Sequence, residues 1–284
     1  METVAFYSYK GGVGRSLLLA HAAQYLVTIL GKGVVALDLD FEAPGLHYKF
    51  SGDIASPPRP FFGGSVPYLL ATAEGAASPP PLEEHTILLP PGDRGGWLRL
   101  MPAGPAPHQA YWAALKDLGD KLRLGDPSGQ GSMALLDLQA RIADELKPDY
   151  LLIDARTGVT ELGGLATSIL ADTVVCLFVG NRESLDGTLT IIDALKNAPR
   201  LANQGPIRIV PVLSRTTETR TPEFVLLALR EKNLAPCVLP HDDLAALEKL
   251  FFFLLPLSEA YLGLFQKLFP SAIATAQPAP HKNL

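Results

Sequence analysis

Lys10-Gly11-Gly12-Val13-Gly14-Arg15-Ser16 brings glycines, two cationic side chains and a hydroxyl into one short loop. That combination suits the binding of a polyphosphate. Glycines allow a tight turn and let backbone N–H groups approach an anion closely. The apolar run Val4-Ala5-Phe6-Tyr7 precedes the loop, and Leu17-Leu18-Leu19-Ala20-His21-Ala22-Ala23 follows it. The loop therefore joins a strand to a helix, whose first N–H groups and positive dipole end favour an anion. Gly11, Gly12, Val13, Gly14, Arg15, Ser16 and Leu17 are the candidate phosphate-binding residues, with Arg15 as a fixed charge for the outer phosphates and Ser16 as a hydroxyl ligand for magnesium. The common pattern G-x-x-x-x-G-K-[ST] is broken twice, by Tyr9 at the first glycine and Arg15 at the lysine. A glycine turn that binds nothing is the plain alternative. Lys10 argues against it, since such a turn has no need of a lysine.

Other apolar runs end in carboxylates. Val34-Val35-Ala36-Leu37-Asp38-Leu39-Asp40 closes on Asp-x-Asp and continues as Phe41-Glu42-Ala43-Pro44-Gly45-Leu46; Tyr150-Leu151-Leu152-Ile153-Asp154 leads into Ala155-Arg156-Thr157-Gly158. With the glycine loop, these segments resemble the deviant Walker A ATPases of the ParA/MinD group, in a variant reading K-G-G-V-G-R-[ST]. Lys10 falls on that group's signature lysine, Asp40 closes the segment leading into its switch I, and Asp154 matches its Walker B acid. Leu239-Pro240-His241-Asp242-Asp243 is a weaker match to a late strand end. The resemblance runs from Met1 to about Phe269. It implies ATP and Mg²⁺ as cofactors and a nucleotide-sandwich dimer that forms with ATP. In that dimer Lys10 reaches a phosphate of the facing subunit and Asp40 orients the attacking water. Ser16 binds the metal, and Asp38 and Asp154 hold its waters or order the loop. Asp38 as a mere cap of the next segment stays open, since Asp is common at such turns.

The remaining apolar runs, at 98–101, 173–179, 207–213 and 237–239, join those at 3–7, 33–37 and 150–153 as expected strands. Apolar runs without alternation suit parallel strands covered on both faces. Strands separated by helical stretches imply βαβ units, and so an α/β, doubly wound, mostly parallel sheet of the P-loop NTPase type. Ligands bind at the carboxyl ends of such strands, where the loop, Asp38, Asp40 and Asp154 all lie. A single domain is expected over 1–274, interrupted by an irregular Pro/Gly-rich insertion at about 51–96 that carries a short helix at 66–73. A loop at 125–132 and a helix at 133–146 are expected to follow. Residues 249–269 read as an apolar helix packed on the sheet, and 275–284 as a disordered tail.

Hydrophobic residues at 48% allow a substantial core, and the net charge of −5 argues against broad nucleic-acid binding. Pro256, Glu259 and Gln266 break the last apolar run, so it does not read as a membrane span, and the tail lacks the basic amphipathic character of a membrane anchor. Cys176 and Cys237 sit in apolar runs without metal spacing. With a chain that opens on a core strand, they suggest a cytoplasmic protein without a signal peptide. No Asn-Lys-x-Asp guanine motif is present, and Asn181, Arg182, Ser214 and Arg215, after late strands, are the candidates for the adenine side. Three functions fit: a slow ATPase that dimerises with nucleotide to regulate or position a protein partner, a nucleotide-binding scaffold silenced by Arg15, or a metabolic ATP-dependent enzyme with 51–96 as its lid. A dinucleotide-binding fold does not fit, because the third glycine of its fingerprint is missing.

Overall fold

Strand β1 (Glu2–Ser8) lies between β5 (Tyr150–Asp154) and β6 (Thr173–Phe178), parallel to both. This is a computed structural model, and it describes residues 1–50, 62–74, 79–92, 94–104, 109–122, 130–202, 204–216, 221–241 and 257–275. The sheet is completed by β2 (Gly33–Asp38), β3 (Ile87–Leu88), β4 (Trp97–Met101), β7 (Arg208–Thr216) and β8 (Cys237–Pro240). Its order is β3-β4-β2-β5-β1-β6-β7-β8, with only β3 antiparallel. All seven expected strands are present. The eighth, β3, is a two-residue edge strand too short to show a period.

Both faces of the sheet are covered, which explains the unbroken apolar strands. Val4 and Phe6 point into one core, and Ala5 and Tyr7 into the other. Helices α1 (Arg15–Gln24) and α10 (Leu257–Leu268) close the first face through residues such as Leu18, Leu19, Leu264 and Phe265. The second face is closed by α3 (Ser65–Ala73), α5 (Gln109–Leu122), α6 (Gln130–Arg141), α8 (Arg182–Lys196) and α9 (Glu223–Glu231). Short helices α2 (Leu46–Phe50), α4 (Leu82–His85), α7 (Glu161–Leu165) and α11 (Pro270–Thr275) join these elements. Phe6 is fully buried, and its truncation to alanine costs about 3–5 kcal/mol by cavity formation.

Three expectations change. Within 51–96 the expected short helix is present as α3, and the stretch otherwise expected to be irregular also carries α4 and β3, while 51–61, 75–78 and 93 lie outside the described residues. The helix expected from 133 begins at Gln130, so 130–132 are helical, and it ends in a π turn at Ile142–Leu146. Of the apolar helix expected at 249–269, Leu257–Leu268 is helical; 242–256 and the tail beyond 275 lie outside the described residues. No helix among the described residues is long and apolar enough to cross a membrane.

Helix α10 is fixed by its end. Arg208, at the start of β7, donates to the carbonyls of Lys267 (2.9 Å) and Leu268 (2.5 Å), the C-terminal groups that a helix leaves open. Its Tyr261 then meets His21 of α1, with ring centroids 4.9 Å apart. His21 Nδ1 lies 2.8 Å from the Leu17 carbonyl, and burial pulls its pKa from 6.5 down to about 4. The folded state therefore keeps His21 neutral where an unfolded chain takes up a proton. Its stabilising share is complete above the unfolded pKa and is lost as pH falls from about 6.5 towards about 4. Between about pH 7 and about pH 5 we expect a loss of about 2 kcal/mol from this group. Denaturant unfolding at both pH values checks it: His21→Phe should flatten that part of the decline, and an unchanged decline would refute the assignment.

Candidate functional site

The glycine loop crosses the carboxyl end of β1, at the middle of the sheet. Gly12 (φ 73°) and Gly14 (φ 91°) take the left-handed conformation that disfavours other residues. Gly14 is the N-cap of α1, with no side-chain cap and no acidic residue in the first turn. The helix start therefore presents backbone donors to the loop's concave side. A cavity of about 480 Å³ opens there, lined by Gly11, Gly12, Val13, Gly14, Arg15, Ser16 and Leu17. All seven candidate loop residues thus face one space. Asp40 lines it as well, together with Lys49, Arg215, His241 and Tyr261.

Tyr9, which replaces the usual first glycine, packs on α8. A Cβ added at Gly187 would fall within the van der Waals shell of the Tyr9 ring. We expect Gly187→Ala to push Tyr9 and the adjoining loop outwards, lowering the melting temperature by several degrees (about 1–3 kcal/mol of overpacking). Differential scanning calorimetry tests this, and an unchanged melt would remove Gly187 as the seat of Tyr9. Lys10 lies outside the cavity lining. Its ammonium pairs with Glu183 of α8, lies 5.6 Å from the Tyr9 ring centroid and is 45% exposed. The Glu183 hydrogen bond holds its pKa above the usual lysine value.

Arg15 lines the cavity, but its guanidinium is held by two carboxylates. Its Nε donates to Asp154 and its Nη2 to Asp40 at 2.6 Å, so one guanidinium edge bridges two carboxylates from different strand ends. Burial works against the guanidinium's charge, but Asp154 and Asp40 outweigh it and raise its pKa. Burial also raises the Asp40 carboxyl, with Arg15 opposing. Removing one member of so buried an ion pair costs about 3–5 kcal/mol. Asp38 faces Asp154 across the β2–β5 register. Burial first, and the Asp154 charge second, push its carboxyl well above the usual range. Its Oδ1 accepts the Asp40 N–H (3.0 Å) and its Oδ2 the Leu46 N–H (3.2 Å). Here Asp38 caps the segment that leads into α2.

Among the late-strand candidates, Ser214 and Arg215 reach the loop and Asn181 and Arg182 do not. The Ser214 hydroxyl donates to the Val13 carbonyl (2.8 Å) and Arg215 Nη1 to the Gly12 carbonyl (2.5 Å). The register shift between Leu213 and Thr216, with Arg215 at φ 55°, turns Arg215 towards the loop. Asn181 is the N-cap of α8, accepting the Ser184 N–H (2.8 Å), and Arg182 lies over Phe224 at 5.5 Å. Neither lines the cavity.

Several site residues carry no sequence signal. Tyr111 of α5 donates to the Phe41 carbonyl (2.7 Å), and Ser65 at the start of α3 donates to the Asp38 carbonyl (2.8 Å). These two helices thereby grip the Asp38–Phe41 turn from behind. Tyr7 donates to the Gly158 carbonyl (3.1 Å), and Arg156 pairs with Glu42, tying the segment after Asp154 to the segment after Asp40. Lys49 and Tyr261 enter the cavity from α2 and α10, and no motif marks them.

The strand order, the glycine loop after β1 and the acids after β2 and β5 define a P-loop nucleoside triphosphatase fold in its ParA/MinD arrangement. The septum site-determining protein MinD of Pyrococcus horikoshii OT3, solved with Mg-ADP, matches over 98% of this chain and 99% of its own, at 17% identity and a TM-score of 0.68. The Pyrococcus furiosus cell division ATPase MinD matches over 95% and 99%, at 18% identity and a TM-score of 0.67. Cyanothece McdA, solved as an ATP complex, matches over 99% of both chains, at 14% identity and a TM-score of 0.64. No protein-family model matches the chain, and no curated protein matches it in sequence. At these identities the likeness is one of fold.

Proposed function

We propose that this chain is a MgATP-binding P-loop ATPase that dimerises with nucleotide to regulate or position a protein partner. The observation that carries the reading is the convergence of the uncapped α1 start, Ser16 and Asp40 on one cavity, with Asp154 held to it through Arg15. Solved proteins of the same fold hold Mg-ADP and ATP. The donor set fits a magnesium nucleotide. Asp154 Oδ2 and Ser8 Oγ are buried without a hydrogen-bond partner, which leaves acceptor capacity at the strand ends. Among the described residues no group of three or more His, Cys, Asp or Glu side chains could hold a metal alone. Ser16 would hold magnesium with phosphate and water ligands, as this small ion prefers, and Asp154 and Asp38 would order those waters. When bound, the ion supplies positive charge between the outer phosphates. Backbone N–H groups from Gly12 to Arg15 would hold the β-phosphate, and Arg15 would turn to the outer phosphates. Asp40, on the cavity wall, would orient the attacking water. Arg215 and His241 line the same space and are candidates for the base side.

Calorimetry with MgATP and MgGTP tests the reading. ATP should bind more tightly, and Arg15→Ala should lose most of the binding. Equal or reversed preference, or wild-type affinity in Arg15→Ala, would sink it. The placement of Arg15 on the two carboxylates favours one second reading, a nucleotide-binding scaffold that does not hydrolyse. Turnover by wild-type protein excludes the scaffold. Turnover that appears only in Arg15→Lys would establish it, because a lysine ammonium cannot fork across both carboxylates.

A further inference from the structure

The bridge from Arg15 to Asp40 and Asp154 joins three side chains that the proposed reaction needs elsewhere. Nε and Nη2 share one guanidinium edge, so the two carboxylates they hold sit side by side against a single cation. All three side chains are buried, and two polar atoms at the junction, Arg15 Nη1 and Asp154 Oδ2, have no hydrogen-bond partner. A buried donor and a buried acceptor left unmade beside an ion pair mark a junction that a different arrangement would satisfy better. Asp38 takes no part in it, since its oxygens accept the Asp40 and Leu46 N–H groups.

We propose that Arg15 is a resident counter-ion of Asp40 and Asp154, which is exchanged for a divalent cation as the site takes up a metal nucleotide. The inference rests on the nucleotide-site reading above. While the guanidinium stays, a second cation meets its repulsion and two carboxylates whose combined charge is already halved. When phosphate draws the guanidinium away, Asp40 and Asp154 are left as buried charges, and an incoming cation replaces the one they lose. Metal and nucleotide therefore enter together, and neither alone releases the bridge. No bond is made or broken: one cation is exchanged for another, and the phosphates take up the guanidinium.

Mn²⁺, followed by its paramagnetic resonance signal, is titrated into the full chain without nucleotide. Wild-type protein should bind it weakly. Arg15→Gln, which removes the charge and keeps most of the side-chain length, should bind it at least about tenfold more tightly. Adding Asp154→Asn to Arg15→Gln should abolish the gain. Equal Mn²⁺ affinity in wild type and Arg15→Gln overturns the proposal, as does a gain that survives Asp154→Asn. If Arg15→Gln has no cooperative melt of its own, melting is repeated with Mn²⁺. A restored transition supports the proposal, and failure to restore it overturns it. The Mn²⁺ titration contains no nucleotide, so its failure is separate from that of the nucleotide reading, which a parallel MgATP titration of wild-type protein reports.

Discussion

Asp40→Asn should still bind MgATP and should lose about 10²–10⁴-fold in turnover, the usual cost of removing a group that handles the proton of an attacking water. The substitution keeps the shape of the side chain and an oxygen to accept the Arg15 Nη2 hydrogen bond, now 2.6 Å long. It removes the charge. Asp40 is held from several sides. Its own N–H donates to Asp38 Oδ1, and the next carbonyl, that of Phe41, accepts the Tyr111 hydroxyl. The turn should therefore keep its course in the variant, so a loss of turnover reports on chemistry more than on folding. Phosphate release under saturating MgATP, read beside calorimetric affinity, separates the two. A variant that binds MgATP normally and turns over at the wild-type rate would end the assignment of Asp40 to the water.

Lys10→Ala should bind ATP close to normally as a monomer and fail to form an ATP-dependent dimer. Lys10 points away from the cavity that Gly11 to Leu17 surround, and its ammonium is on the surface beside Glu183. That exposed pair is worth little to stability, because solvent screens it and two long side chains must be ordered to make it. The fold should therefore tolerate the change. Across a dimer interface the same charge would meet phosphate out of water, where it counts for far more. Sedimentation with ATP on the Asp40→Asn background, which blocks hydrolysis, gives the answer. A dimer that survives Lys10→Ala rules out the trans role of Lys10, and a monomer under every condition removes the sandwich arrangement.

The glycine loop, the strands and their coverage on both faces were legible in the chain because each depends on neighbours in sequence. Gly12 and Gly14 announce positive φ by their lack of a Cβ, and unbroken runs such as Val34-Val35-Ala36-Leu37 announce burial on both sides. The same local logic put Asp38, Asp40 and Asp154 at strand ends, and hence near the loop. Helix α3 was legible at 66–73, whereas β3 escaped because two residues carry no period, and the four-residue α4 was submerged in a stretch dominated by Pro and Gly. Where Arg15 goes was beyond the sequence. Its partner Asp154 lies 139 positions away and comes within reach only because β5 pairs with β1. Ser214 and Arg215 reach the loop while Asn181 and Arg182 do not, through a bulge at the end of β7 that no residue type announces. Tyr111 on Phe41 and Tyr261 in the cavity depend likewise on how helices dock on the sheet. The chain by itself determined a glycine loop followed by a helix and acids at neighbouring strand ends, since short-range sterics and periodic burial dictate those. Which charges neutralise one another at the end of the sheet was decided only by tertiary structure, because strand order and helix docking set the distances over which buried charges interact.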